Sequence, residues 1–253
     1  MSAAKAALLW RVDFAQKANR FDDMAKAMKK FTEVTKVLVT NERELLAIAY
    51  RRAVEARRSS WNAISLIEQK TEGPEKEEAK KYREETVEKE LRDLCHEVLE
   101  LLEKVLIPKD DDRESSVLYH TWKGDFFRYL AEVATGTEHN DVADKSLRSY
   151  QRALHIANTK ERKWKGAPLQ PAHPVRLGLA IGLSTFYYEI RGDHKRSKEL
   201  LEKTLLEADA VLNDLRKDSI AESAPVMASL RRNKELWFPT ADDDQEGGEA
   251  GGN

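Results

Sequence analysis

Apolar residues recur three and four positions apart along almost the whole of this 253-residue chain, and no stretch alternates apolar and polar for long. The first spacing lines side chains along one stripe of a helix; a half-buried strand needs the second. The pattern therefore predicts an all-α fold. Composition agrees: charged residues make up 35% of the chain, against a typical value of about 25%, while Gly (11) and Pro (7) are scarce. A chain of this length buries roughly 70–75% of its unfolded surface, enough for a self-sufficient core.

Breakers divide the pattern into nine helices. They cover about 3–18 and 21–38, then 41–70, opened by a capping-box pattern of Asn41 and Glu44. Gly73–Pro74 starts a fourth, ending at Pro108. A fifth spans about 113–135 and a sixth about 139–163. "KWKGAPLQPAHP" is the clearest interruption, before a seventh that runs to Ile190. Gly192 suits a C-terminal cap and Asp193 the N-cap of the eighth; the ninth ends near Trp237. No linker demands two domains, so one domain of antiparallel helices is expected over 1–238, followed by an acidic, Gly-rich disordered tail, 239–253.

The net charge of −2 is unevenly placed. No basic residue follows Lys234, and without the tail carboxylates Asp242, Asp243, Asp244, Glu246 and Glu249 the body stands at +3. That implies an anion-attracting surface and a tether able to visit it, or simply a solubilising end. With no broad basic stripe, nucleic-acid binding is not expected. "MSAAKAALLWRVDFAQ" is too short and charged to span a membrane, so cytoplasmic residence is expected, with the nucleus also open. The single cysteine, Cys95, reads as a small buried hydrophobe.

Catalytic signals are missing. The six histidines form no helix-spaced metal pair; Asp110–Glu114 reads as charge at a helix N-terminus, and His173 as a capping or packing residue. No glycine-rich phosphate loop, nucleophile elbow or Cys/His dyad occurs. Neither an enzyme nor a bound metal or cofactor is expected.

Arginines carry the positive signal. In "YRRAVEARRSSW", Arg51 and Arg58 lie seven residues apart, about 20° in direction and roughly 10 Å along a helix, with Glu55 between them. Trp61, Ile64 and Ile67 form a separate apolar stripe, while Arg57 braces the helix or the site. In "WKGDFFRYLAEVA", Arg128 and Tyr129 stand among Phe126, Phe127 and Leu130, with Lys123 earlier. A partly buried arginine needs an acceptor, either the protein's own carboxylate or an anion brought by a ligand. Two such segments favour phosphate, which guanidinium forks match bidentately.

These segments, with "ELRDLCHEVLELLEKVLIP", "HPVRLGLAIGLSTFYYEI" and "LRRNKELW", resemble the 14-3-3 family of phosphopeptide-binding adaptors over nearly the whole chain. The resemblance implies nine antiparallel helices in a cup-shaped, usually dimeric protein. Arg51 (in place of the usual lysine), Arg58, Arg128 and Tyr129 match the phosphate clamp of such proteins, with Lys123 at the groove wall. Gly178, Ile181, Gly182, Thr185, Glu189, Val226, Ser229, Asn233, Leu236 and Trp237 match its peptide-groove positions. Gly182 replaces an asparagine that grips the peptide backbone, Thr185 a valine and Ser229 a leucine, so the groove is more polar than usual. Phe14, Ala18, Arg20, Asp23, Ser60, Ile64 and Glu90 match the dimer interface, but the usual lysine partner of Asp23 aligns with Thr86 and Tyr82 is displaced by one position. Homo- or heterodimerisation through an altered interface is thus implied. Ser60 matches a serine whose phosphorylation opens family dimers, and Thr240 stands where a phosphate would strengthen self-binding of the tail.

The function implied is capture of phosphoserine or phosphothreonine segments of client proteins. The rival is a tetratricopeptide-like scaffold for unmodified peptides, echoed by "KGDFFRYLAEVA…YQRALHIA" and "RGDHKRSKELLEKTLLEA". The first reading requires the three guanidiniums to meet at one vacant place, not each already matched by a carboxylate of the protein.

Overall fold

The computed structural model describes residues 3–161, 163–212 and 216–239. Among them the regular elements are helices, nine in number, and the only bridge pairs Asp112 with Lys165. They are α1 (Ala3–Lys17), α2 (Phe21–Thr35), α3 (Thr40–Lys70), α4 (73–109), α5 (Arg113–Val133), α6 (Gly136–Asn158), α7 (174–190), α8 (His194–Leu212) and α9 (Lys217–Trp237). α4 continues through two wider π-type turns, Arg83–Glu88 and Leu102–Leu106, and tightens at Ile107–Lys109, where Pro108 ends it. No described helix is long and apolar enough to cross a membrane. The tail expected at 239–253 lies outside the described residues from position 240 onward.

Four helix ends differ from the sequence reading. α2 stops at Thr35 instead of 38, because Lys36 turns left-handed (φ 64°) and its N–H caps the Thr32 carbonyl at 2.7 Å. The N-cap of α3 is Val39, whose N–H donates to Glu42 Oε2 at 3.0 Å; valine has no acceptor to return, so this is half a capping box rather than the Asn41–Glu44 pair. α6 opens at Gly136 (φ 57°) and ends at Asn158, not at 163. Its last carbonyls find tertiary donors: Arg113 Nη1 reaches Ile156 and Thr159, and the Leu169 N–H bonds Ala157 O at 2.9 Å.

Two compact units emerge, one of 1–111 with 125–146 and the other of 112–124 with 147–253. In the first, Met24, Met28 and Phe31 of α2, Leu46 and Tyr50 of α3, Leu91, Cys95 and Leu102 of α4, and Phe126 and Leu130 of α5 are fully buried. Tyr50 meets Phe126 edge-on at 6.4 Å and donates to Glu97 Oε1 at 2.7 Å, a carboxylate that also accepts from Lys29. Burial pushes the Cys95 thiol up from its ordinary value, so it stays protonated and inert.

In the second unit, Leu177 and Ala180 of α7, Leu201, Leu205 and Ala208 of α8, and Met227 and Leu230 of α9 form one cluster with Ala172. Gly124 faces Tyr150 so closely that an added Cβ would lie 2.6 Å from the ring, which requires glycine there. Two caps follow expectation. Asp193 Oδ1 accepts the Arg196 N–H at 3.0 Å after Gly192 (φ 60°), and His173 Nδ1 accepts from the Val175 N–H at 3.3 Å. Asp112 Oδ2 takes the Ser115 N–H at 3.0 Å, so the acidic run 110–114 is a helix cap.

Candidate functional site

Within the first unit, α3 presents Arg51, Glu55 and Arg58 on one face, and α5 presents Asp125, Arg128, Tyr129 and Glu132 at three- and four-residue spacing. The two sets meet. Arg51 Nη2 lies 3.0 Å from Asp125 Oδ2. Arg58 is held by Glu132 through Nε (2.5 Å) and Nη2 (3.1 Å), and by Glu55 through Nη1 (2.8 Å). Arg128 Nη1 donates to the same Glu132 Oε1 at 3.0 Å. The guanidiniums of Arg58 and Arg128 both stand over the Tyr129 ring, 4.9 and 4.6 Å from its centre.

So the three arginines converge, but the second condition is overturned. Every guanidinium is matched by a carboxylate of the protein, and the cluster balances three cations against Asp125, Glu132 and Glu55. The physical reason lies in Arg128 and Glu132. Arg128 is buried, and a buried guanidinium without a counter-charge is unaffordable in a protein interior. Burial opposes the charge of Arg58, and Glu132 outweighs it, so its pKa is raised. Burial likewise pushes the Tyr129 phenol up, keeping it a neutral donor.

The requirement of unmatched guanidiniums is too strict, because a matched arginine is still a donor. A guanidinium carries five N–H groups, of which Arg58 gives three to Glu132 and Glu55. The carboxylates hold the forks in fixed orientation, and incoming phosphate oxygens can share or displace them. The sequence reading missed Asp125 and Glu132, although the 125, 128, 132 spacing signals them.

Arg57 braces the helix as expected, bridging Asp22 of α2 (2.6 Å) and Glu90 of α4 (3.0 Å). Trp61 packs beneath Arg83 and donates from Nε1 to Glu88 at 2.9 Å.

The peptide-groove positions fall in the second unit as two stripes. On α7, Gly178, Ile181, Thr185 and Glu189 follow at helical spacing, with buried Gly182 beside them; a Cβ at Gly178 would meet open space. On α9, Val226, Ser229, Asn233, Leu236 and Trp237 do the same. Ile181, Val226 and Trp237 pack on the unit's core, and Trp237 stacks on Tyr188 at 4.4 Å. Leu236 is exposed, and Ser229 Oγ donates to the Pro225 carbonyl at 3.0 Å. Lys123 belongs to this unit too, beside His120.

Phe14 is 65% exposed and, with Ala18, Arg20 and Asp23, lines a hollow of ≈ 520 Å³ on α1 and α2. Arg20 pairs with Asp23 on its own helix, and Glu90 is taken by Arg57. Ser60 is exposed, its Oγ on the Ala56 carbonyl at 2.9 Å, and Ile64 is half-buried. Among the described residues no group of three His, Cys, Asp or Glu could hold a metal.

An all-helical body with an arginine–carboxylate cluster on α3 and α5 and two mixed polar–apolar stripes on α7 and α9 defines a helical binding scaffold. The 14-3-3 protein family model matches residues 11–238. The chain is 49% identical to 14-3-3-like protein 2 of Caenorhabditis elegans over the full length of both. It is 46% identical to 14-3-3 protein zeta of Bombyx mori, again over both whole chains, and 44% identical to the human 14-3-3 protein beta/alpha, covering 99% of this chain and 98% of that one. The chain belongs to the 14-3-3 family of adaptors.

Proposed function

We propose that this protein is a non-enzymatic adaptor that binds phosphoserine or phosphothreonine in disordered segments of client proteins. The carrying observation is the pair of guanidiniums, Arg58 and Arg128, stacked over one tyrosine and bridged by one carboxylate. Two forks held side by side suit the oxygens of one phosphate, and Arg51 and Tyr129 add donors. Charge-assisted bonds of this kind contribute about 1.5–3 kcal/mol each. The α7 and α9 stripes and Lys123 take the peptide-contact role that the resemblance assigns them. Residues 1–238 act as one functional domain.

The exposed α1–α2 face supports dimerisation, through which two sites would gain avidity for a doubly phosphorylated client. Arg20 and Glu90 would exchange their intrachain partners on assembly, and the pair lost with the usual lysine partner of Asp23 is worth only about 0–1 kcal/mol, so the dimer is weakened rather than excluded. The acidic tail competes for the phosphate cluster, more strongly with Thr240 phosphorylated. Work in the cytoplasm, with access to the nucleus, fits this role.

One peptide titrated with and without its phosphate, at two salt concentrations, tests the reading. Phosphate should tighten binding at least tenfold, and added salt should weaken it. A gain below about threefold would favour the unmodified-peptide scaffold, which the family match over residues 11–238 already disfavours.

A further inference from the structure

A second group of cations lies in the second unit, and its chemistry differs from that of the arginine cluster. Trp164, in the segment between α6 and α7, is 6% exposed. The Arg152 guanidinium of α6 stands over its ring at 5.3 Å and the Lys163 ammonium at 4.3 Å. From α5, His120 sits half-buried in the combined field of Lys123, Arg152 and Lys163. Neither Arg152 nor Lys163 pairs with a described carboxylate. Glu161 is held by His155 and feels both cations only through space.

An aromatic ring accommodates a cation but supplies no counter-charge. The group therefore keeps a net positive potential on a partly buried surface. Burial first, then the charges of Lys123, Arg152 and Lys163, push the His120 imidazole down to about 4, so it is neutral at physiological pH. The Trp164 Nε1 donor is buried with no acceptor among the described residues, an arrangement that native proteins rarely leave unexplained.

We propose that His120, Arg152, Lys163 and Trp164 form an anion site, separate in composition from the arginine cluster, that takes the phosphate groups of an oligophosphate. Arg152 offers a fork, Lys163 a point charge, and His120 a neutral donor or acceptor that gains a proton when an anion arrives. The tryptophan is the platform that holds the cations at one place. Its ring is buried beneath them and presents no face on which a nucleobase can stack. The site thus reads phosphate alone, and a nucleoside triphosphate gains nothing over the bare phosphate chain.

The test is calorimetric titration of the full chain with tripolyphosphate, first with a saturating phosphopeptide present to occupy the arginine cluster, then without. The double variant Arg152→Gln with Lys163→Gln breaks no ion pair with a described residue and is expected to fold; its melting temperature checks this. The expected result is a tripolyphosphate site that persists under saturating phosphopeptide, weakens at least tenfold in the double variant, and binds ATP no more than twofold more tightly. Phosphopeptide affinity should stay unchanged in that variant. Binding within twofold of the unmodified chain in the double variant overturns the proposal, as does tripolyphosphate binding that the phosphopeptide abolishes. If the phosphopeptide itself fails to bind, the adaptor reading falls, while the comparison of unmodified and variant chains without it still decides this site.

Discussion

The two cationic groups of this molecule solve the problem of concentrated positive charge in opposite ways. On α3 and α5, Arg51, Arg58 and Arg128 are each matched by Asp125, Glu132 or Glu55. Beside α5 and α6, Arg152 and Lys163 share an indole and have no described carboxylate partner, and a neighbouring histidine is driven neutral. The lesson concerns burial. Arg128 is buried and requires a counter-ion at all times, whereas Lys163 is exposed and Arg152 half-buried, so water lowers the energy of their charge. A balanced cluster is rigid and selects by geometry. An unbalanced one attracts by field, and is more sensitive to salt and pH.

The largest contrast should come from the arginines. Arg58→Gln with Arg128→Gln removes two charge-assisted donors, each worth about 1.5–3 kcal/mol, so phosphopeptide affinity should drop at least a hundredfold by anisotropy titration. An equal drop in the Arg152→Gln, Lys163→Gln chain would erase the distinction between the groups.

Acid separates them next. Folded His120 binds its proton only near pH 4, while the unfolded residue does so near 6.5. As pH falls through that window the unfolded chain takes up the proton first, and stability declines, by up to about 3 kcal/mol at pH 4 and not at all above about 7. Urea unfolding of the unmodified chain and His120→Gln at pH 7, 5.5 and 4 reads the difference. Parallel curves would show that neither burial nor the cations shift this histidine.

A smaller effect is expected at Glu132. Glu132→Gln leaves Arg58 and Arg128 facing each other without their shared counter-charge, for a loss of about 2 kcal/mol in stability. A saturating phosphopeptide should restore more of the melting temperature in this variant than in the unmodified chain, since it supplies the missing negative charge. At the bottom of the scale, Arg152→Gln alone should change stability by less than about 1 kcal/mol, because it breaks no ion pair with a described residue and relieves repulsion. A larger loss in thermal melts would mean that the stacked guanidinium is a structural brace.

Much of this was legible in the chain. Spacing located the helices and the breaks at Gly73–Pro74, Pro108 and Gly192, because side-chain period and backbone freedom are local properties. Buried Cys95, the Asp193 cap and the bracing by Arg57 were read from local pattern as well. The ends of α2 and α6 were not. An apolar run continues past Thr35 to Val39, and the carbonyls that finish α6 are satisfied by Arg113, which is remote in sequence.

Sequence alone determined that this chain is helical, that its arginines lie at spacings suited to one anion, and that its motifs are those of a 14-3-3 protein. Only tertiary structure decided how those charges are balanced. Which carboxylate faces which guanidinium depends on how separate helices pack, as with Arg58 and Glu132, 74 residues apart. Electrostatic energy falls with distance in space and is blind to distance along the chain, so local spacing can signal the Arg128–Glu132 pair but not that Arg58 joins it.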